Sequence, residues 1–143
     1  MTPMPPLPDT TNALTEPFWA GLREHRLLVQ RCAHCEALRY PAAPICPTCL
    51  TRGGDWTAVA AEGDLYSFVV YHRALSPAFA EDVPYAIGVV EIQDRLQILS
   101  RIDAPPDSLS IGTRMRARYT DVSPEVTLLH WEPAARWKGA RND

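Results

Sequence analysis

The sequence predicts a mainly β fold: a short N-terminal helix, a two-knuckle cysteine ribbon, then a closed barrel of five strands. Three observations predict it. Fourteen prolines among 143 residues are about twice ordinary usage, and proline removes a backbone donor and fixes φ, which argues against long helices. All four cysteines fall in two CxxC pairs. From Gly63 onward apolar and polar residues alternate with period two, the repeat of a half-buried strand.

Composition bounds the rest. Hydrophobic residues make up 46% and charged residues 22%, a globular balance that argues against a disordered chain. The net charge of −3 lacks the basic excess that phosphate contacts require, so nucleic acid is not the expected partner. No run approaches the ~20 apolar residues that span a bilayer, so no membrane is expected. The first residues, MTPMPPLPD, show neither the basic nor the apolar segment of a secretory leader. The expected compartment is the cytoplasm, where thiols stay reduced and four cysteines point to a metal before disulfides.

Taken in order, residues 1–13 are Pro- and Thr-rich without periodicity and read as a flexible arm or an extended strap. Leu14, Phe18, Trp19 and Leu22 recur at helical spacing. Thr15 is placed to cap, and Glu16 and Pro17 suit a first turn. The helix either packs on its own domain or docks a partner through Phe18, Trp19 and Leu22, the latter because buried aromatics anchor interfaces. Residues 27–31 form a short strand entering the first cysteine pair. Gly53-Gly54 breaks the chain before 56–60. The unit 14–60, helix plus ribbon, is too small for a conventional core.

The barrel is expected over 61–132. Its first strand, 65–72, alternates Tyr66, Phe68, Val70 and His72 on one face with Leu65, Ser67, Val69 and Tyr71 on the other. A long, partly apolar connection over 73–85 carries Leu75, Phe79 and Val83, and long loops in compact domains are often functional. Strands 85–92 and 95–102 form a hairpin across Gln93-Asp94. Strands 114–120 and 126–131 complete five, and closure removes exposed edges. Arg114, Arg116 and Arg118 share one face of their strand, read as a solvated outer face over a phosphate site. A tail occupies 133–143.

The cysteines carry the firmest chemistry. Cys32-Ala33-His34-Cys35 and Cys46-Pro47-Thr48-Cys49 stand ten residues apart. Each CxxC turn places two thiolates on one side of a tight loop, and two facing loops make a tetrahedral S₄ site suited to zinc. Four thiolates leave no open position, so Cys32, Cys35, Cys46 and Cys49 predict one structural zinc. A redox CxxC would need a βαβ setting that the pattern lacks. No GxSxG, HExxH or phosphate-cradling glycine loop occurs, and no cysteine is left over as a nucleophile. The chain does not read as a self-sufficient enzyme.

Helix, ribbon and barrel in this order closely resemble the family called domain of unknown function 35. The matching residues are Phe18-Trp19-Ala20-Gly21-Leu22, 27–35, Tyr40-Pro41, Pro44-Ile45-Cys46-Pro47-Thr48-Cys49, 63–70, His72-Arg73 and Val83-Pro84-Tyr85. The resemblance implies a rubredoxin-like zinc ribbon followed by an OB fold. It also implies a non-catalytic accessory subunit of a thiolase-like enzyme, a thiolase or an aldolase of side-chain degradation such as that of steroids. The partner would supply the catalytic groups while this chain helps hold or channel the acyl-CoA. On that reading His72, Arg73, Phe79 and Tyr85 border the substrate channel, and Phe18, Trp19 and Leu22 meet the partner. The alternatives are an accessory partner of a hotdog-fold enoyl-CoA hydratase and a nucleic-acid-binding ribbon–OB module, since both folds also bind nucleic acids.

Overall fold

The computed structural model describes residues 4–134. The first three residues of the expected arm, and the expected tail from residue 135 on, lie outside the described residues. Among the described residues one named α-helix, α1 (Glu16–Arg23), precedes eight strands. β1 (Leu27–Arg31), β2 (Leu38–Arg39) and β3 (Asp55–Val59) form an antiparallel sheet in the order β2-β1-β3. β4 (Glu62–Tyr71), β5 (Tyr85–Glu91), β6 (Gln97–Ile102), β7 (Arg114–Asp121) and β8 (Thr127–Pro133) close a barrel in the order β4-β5-β6-β8-β7. No helix among the described residues is long and apolar enough to cross a membrane.

The helix begins at the residue the spacing selects, by a different mechanism. Thr15 occupies the cap position, but its side chain makes no capping bond. The carbonyl of Asn12 instead accepts from the backbone N–H groups of Thr15 and Glu16, at 3.1 and 2.8 Å. Pro17 then sits in the first turn, where its missing N–H costs nothing. Beyond the helix, His25 takes a left-handed φ of 59° and turns the chain into β1.

The first barrel strand corrects the simple alternation. Its register against β5 shifts between Leu65 and Ser67, a bulge at Tyr66. The extra residue moves the phase by one. Leu65 therefore points inward, 1% exposed, and so do Phe68 and Val70, which pack against the same cluster; Tyr66 is 55% exposed. Leu65 and Phe68, assigned to opposite faces by period two, share the interior. The hairpin between β5 and β6 also differs from its expected two-residue turn. Residues 93–95 form a three-residue loop in which Asp94 and Arg95 take left-handed φ of 55° and 62°, and Ile92 N–H donates to Leu96 O at 2.8 Å.

Trp131, Met115, Val90, Ile98 and Leu65 fill the barrel, and the same buried cluster includes Leu22 of α1 and Leu27 of β1. Helix, ribbon sheet and barrel thus share one core, which the small ribbon could not build alone. Trp131 is fully buried, and its indole N–H donates to Ile98 O at 3.2 Å. Arg114, Arg116 and Arg118 lie on the outer face of β7, each against a carboxylate. Arg114 meets Glu62 at 3.2 Å, Arg116 meets Glu132 at 2.8 Å and Arg118 meets Asp103 at 3.0 Å. Their charges are neutralised in place, as a solvated face requires.

Candidate metal centre and barrel groove

The two cysteine knuckles are built to one plan. Cys32 N–H donates to Ala37 O and Cys46 N–H to Thr51 O, each at 2.9 Å. Four residues after each leading cysteine, Glu36 and Leu50 bond back to the Cys32 and Cys46 carbonyls, at 3.1 and 2.8 Å. Both do so with left-handed φ, 66° and 65°, a conformation that side chains other than glycine adopt at a cost. Each turn aims an N–H at the leading sulfur: His34 N to Cys32 Sγ at 3.3 Å, and Thr48 N to Cys46 Sγ at 3.4 Å.

The four sulfurs converge within 4.8 Å of one another. Cys32 and Cys49 stand 3.6 Å apart, as do Cys35 and Cys46. A zinc–sulfur bond of about 2.3 Å implies tetrahedral edges of about 3.8 Å, so the donor set fits that ion. The electrostatics favour thiolate at the two leading cysteines, whereas at Cys35 the Ala37 backbone hydrogen bond is outweighed by burial and the neighbouring sulfurs, which push the thiol up to about 11. Backbone N–H groups of Cys49 and Thr48 lower the Cys46 thiol to about 6, and those of Cys35 and His34 lower Cys32. His34 is exposed at the tip of its knuckle and is not part of the cluster.

Arg39, which the sequence did not single out, holds the knuckles together. It is 5% exposed, and its hydrogen bonds among the described residues go to an amide and to backbone carbonyls. Its Nε donates to Gln30 Oε1 at 2.8 Å, and its Nη2 to Ala43 O and Gly53 O at 2.9 and 3.1 Å. One guanidinium fork thereby ties β1 to both flanks of the second knuckle. The only sequence signal was an arginine inside a ribbon with too little apolar surface of its own.

A second feature lies on the barrel. A cleft of about 480 Å³ opens over Tyr85 and Ile87 of β5, Arg101 of β6, and Leu128 and His130 of β8. Phe79 and Asp82 of the 73–84 connection border one side, Val122 after β7 another, and Met4–Leu7 of the N-terminal segment a third. The Tyr85 ring stacks with Tyr71 at 5.3 Å, lies 6.0 Å from Phe79 and carries the Arg101 guanidinium 4.6 Å from its centre. Arg101 also pairs with Asp82 at 3.0 Å. His130 holds both Asp103 oxygens at 3.1 Å.

Of the residues expected at a channel, Phe79 and Tyr85 come together in this cleft, whereas His72 and Arg73 are exposed and do not line it. Of the helix residues expected to meet a partner, Leu22 requires correction. It is 1% exposed and used by the chain's own core, because the helix packs that face on β1 and the barrel. Phe18 and Trp19 are half-buried, in edge-to-face contact at 5.1 Å, and lean on the core from outside.

Comparison with known proteins decides the family. Residues 19–53 match the family model described as ChsH2, rubredoxin-like zinc ribbon domain, and residues 56–120 match ChsH2, C-terminal OB-fold domain. The chain belongs to the ChsH2, or DUF35, family. The barrel order and the parallel β6–β8 contact are those of the OB fold. A solved structure titled "Ltp2-ChsH2(DUF35) aldolase" is 30% identical, with a TM-score of 0.78, over 89% of this chain and 99% of that one. Two curated relatives are named hydratase alpha subunits. The probable enoyl-CoA hydratase alpha subunit of Thermomonospora curvata is 34% identical over 82% of this chain and 37% of its own length. The 3-oxo-4,17-pregnadiene-20-carboxyl-CoA hydratase alpha subunit of Mycobacterium tuberculosis is 32% identical over 81% and 36%. The chain therefore spans little more than a third of the length of these two curated relatives. A DUF35 domain-containing scaffold protein of Methanocaldococcus jannaschii is 27% identical over 71% of this chain and 73% of its own.

Proposed function

We propose that this chain is a zinc-stabilised, non-catalytic scaffold subunit of a thiolase-like aldolase acting on an acyl-CoA. The observation that carries the reading is the near end-to-end match to the ChsH2 chain of an aldolase complex. The chemistry here agrees. All four cysteines converge in one closed cluster, so each thiol has a structural assignment. His25 stacks on Tyr119 and bonds Asp121, and His130 bonds Asp103, so both rings are held by structural partners. One zinc, bound by Cys32, Cys35, Cys46 and Cys49, joins the two knuckles of the ribbon. It leaves no coordination position for substrate, so its contribution is to folding.

In this reading the half-buried rings of Phe18 and Trp19 contribute to the surface that meets the catalytic subunit. Phe79 and Tyr85 form an apolar wall for the acyl group, with His72 and Arg73 at its outer approach. Co-purification from the native host, with the partner identified and retro-aldol cleavage assayed with and without this chain, tests it. A thiolase-like partner that loses activity or solubility when this chain is withheld is the expected result. Turnover by this chain alone, or full activity of the partner alone, overturns it.

The two hydratase alpha subunits favour a second reading, in which the partner is a hotdog-fold enoyl-CoA hydratase. The same co-purification decides between them by which enzyme is captured. The groove argues against nucleic acid: Arg101 is neutralised by Asp82, and His130 is held by Asp103.

A further inference from the structure

We propose that Met4–Leu7 is a displaceable strap seated in an acyl-binding groove of the barrel, and that the hydrocarbon part of an acyl-CoA takes its place. The proposal rests on the acyl-CoA reading above and adds the site on this chain and its resident occupant.

The groove lies where the β4–β5 connection and the loop after β7 flank β5 and β6, the face through which OB folds hold extended ligands. Its floor suits hydrocarbon. Phe79, Tyr85, Ile87 and Leu128 offer aromatic and aliphatic surface, while the Arg101 cation is held by Asp82 and lies over the Tyr85 ring. No unpaired cation in the floor would take a pyrophosphate, so the nucleotide end of the ligand belongs outside.

The strap matches that chemistry. Met4-Pro5-Pro6-Leu7 presents apolar side chains, and its prolines carry no N–H to satisfy. Its hold is slight: no hydrogen bond among the described residues ties Met4–Pro8 to the barrel. Met4 and Leu7 remain 79% and 44% exposed. None of these residues belongs to the buried core, so the strap can leave without unfolding the barrel.

The test titrates decanoyl-CoA, with free CoA as control, into the full chain and into the full chain carrying Met4→Ser and Leu7→Ser. A groove filled by its own strap about nine-tenths of the time binds ligand about tenfold more weakly. The variant should therefore bind decanoyl-CoA about tenfold tighter, with no gain for free CoA. A synthetic peptide of residues 1–10 should compete the gain away. Deletion of residues 1–8 should reproduce it, and matching urea midpoints should show that the fold is intact. Equal affinities of the two chains, or an equal gain for free CoA, overturn the proposal. If neither chain binds decanoyl-CoA while the assembled complex still cleaves its acyl-CoA, the groove falls and the scaffold reading stands. A complex that handles no acyl-CoA removes both.

Discussion

Gln30 and Arg39 face each other as partners across β1 and β2, and the Arg39 Nε donates to the Gln30 side-chain oxygen at 2.8 Å inside a buried site. The same oxygen accepts from Ala43 N–H, also at 2.8 Å. One amide and one guanidinium thus organise the approach to the second cysteine knuckle. Arg39→Ala strips the Ala43 and Gly53 carbonyls of their donor and should cost about 3 kcal/mol, since each orphaned buried group costs about 1–3 kcal/mol. Arg39→Lys should recover only part of this, because an ammonium cannot reproduce the planar fork. Urea denaturation measures the loss, and faster zinc release to a chelator should accompany it.

Removing a cysteine acts on the same unit more severely. Cys32→Ser, and equally Cys35→Ser, Cys46→Ser or Cys49→Ser, should abolish stoichiometric zinc by elemental analysis. The ribbon amides of residues 32–53 should then lose their dispersion in an NMR spectrum. Structural zinc is worth on the order of 10 kcal/mol in small modules, far more than this ribbon's own core supplies. A folded, metal-free ribbon would contradict the assignment.

Gly63 should tolerate no side chain. It pairs with Met115 of β7 where β4 crosses to β5, and a Cβ there would lie 2.1 Å from Glu91 O. The obstructing atom is backbone and cannot rotate away. Gly63→Ala should destabilise by about 3 kcal/mol, the upper range for forced overpacking. At Gly88 the same substitution meets only the side-chain ends of Ile102 and Leu65, so Gly88→Ala should cost less. Thermal unfolding of the two variants orders them.

Asp103 sets an acid-sensitive contribution. Burial pushes its carboxyl up, but hydrogen bonds and attraction from His130 and Arg118 outweigh this and hold it below the ordinary 3.8. A depressed carboxylate stabilises the fold above its unfolded value, and that stability is lost as pH falls through the folded value. Between about pH 4 and pH 2 the wild type should therefore lose up to about 1 kcal/mol more than Asp103→Asn. Urea midpoints recorded against pH give the difference.

Trp19 separates docking from folding. Trp19→Ala should weaken assembly with the proposed catalytic partner by about 2 kcal/mol or more if the ring anchors the interface. Zinc content and the unfolding midpoint of the isolated chain report any loss of its own packing. Weakened assembly with both unchanged assigns the ring to the partner, whereas a lowered midpoint with unchanged assembly assigns it to the core.

What could be read from the sequence was what short-range geometry dictates. Two CxxC turns place four thiolates by local backbone constraints, so the metal ligands were legible from spacing. Period-two alternation likewise gave five barrel strands, because a strand's faces alternate whatever it pairs with. The arginine stripe on β7 was legible for the same reason, although its carboxylate partners come from three other segments.

Tertiary structure decided the rest. The bulge at Tyr66 exists because β4 must serve both β5 and β7 to close the barrel, and no local pattern announces it. Arg39 is buried because its acceptors, Gln30, Ala43 and Gly53, lie 4 to 14 residues away and meet it only when the knuckles fold. Leu22 belongs to the core because helix and barrel are too small to finish separate ones. Met4–Leu7 line a groove whose other walls lie more than seventy residues along the chain. The sequence determined by itself the ribbon's ligands and the barrel's strands, since both follow from constraints a few residues long. Which side chains share a face, and which surface the strap covers, followed only from closing the sheet, where contacts between distant residues outweigh local preference.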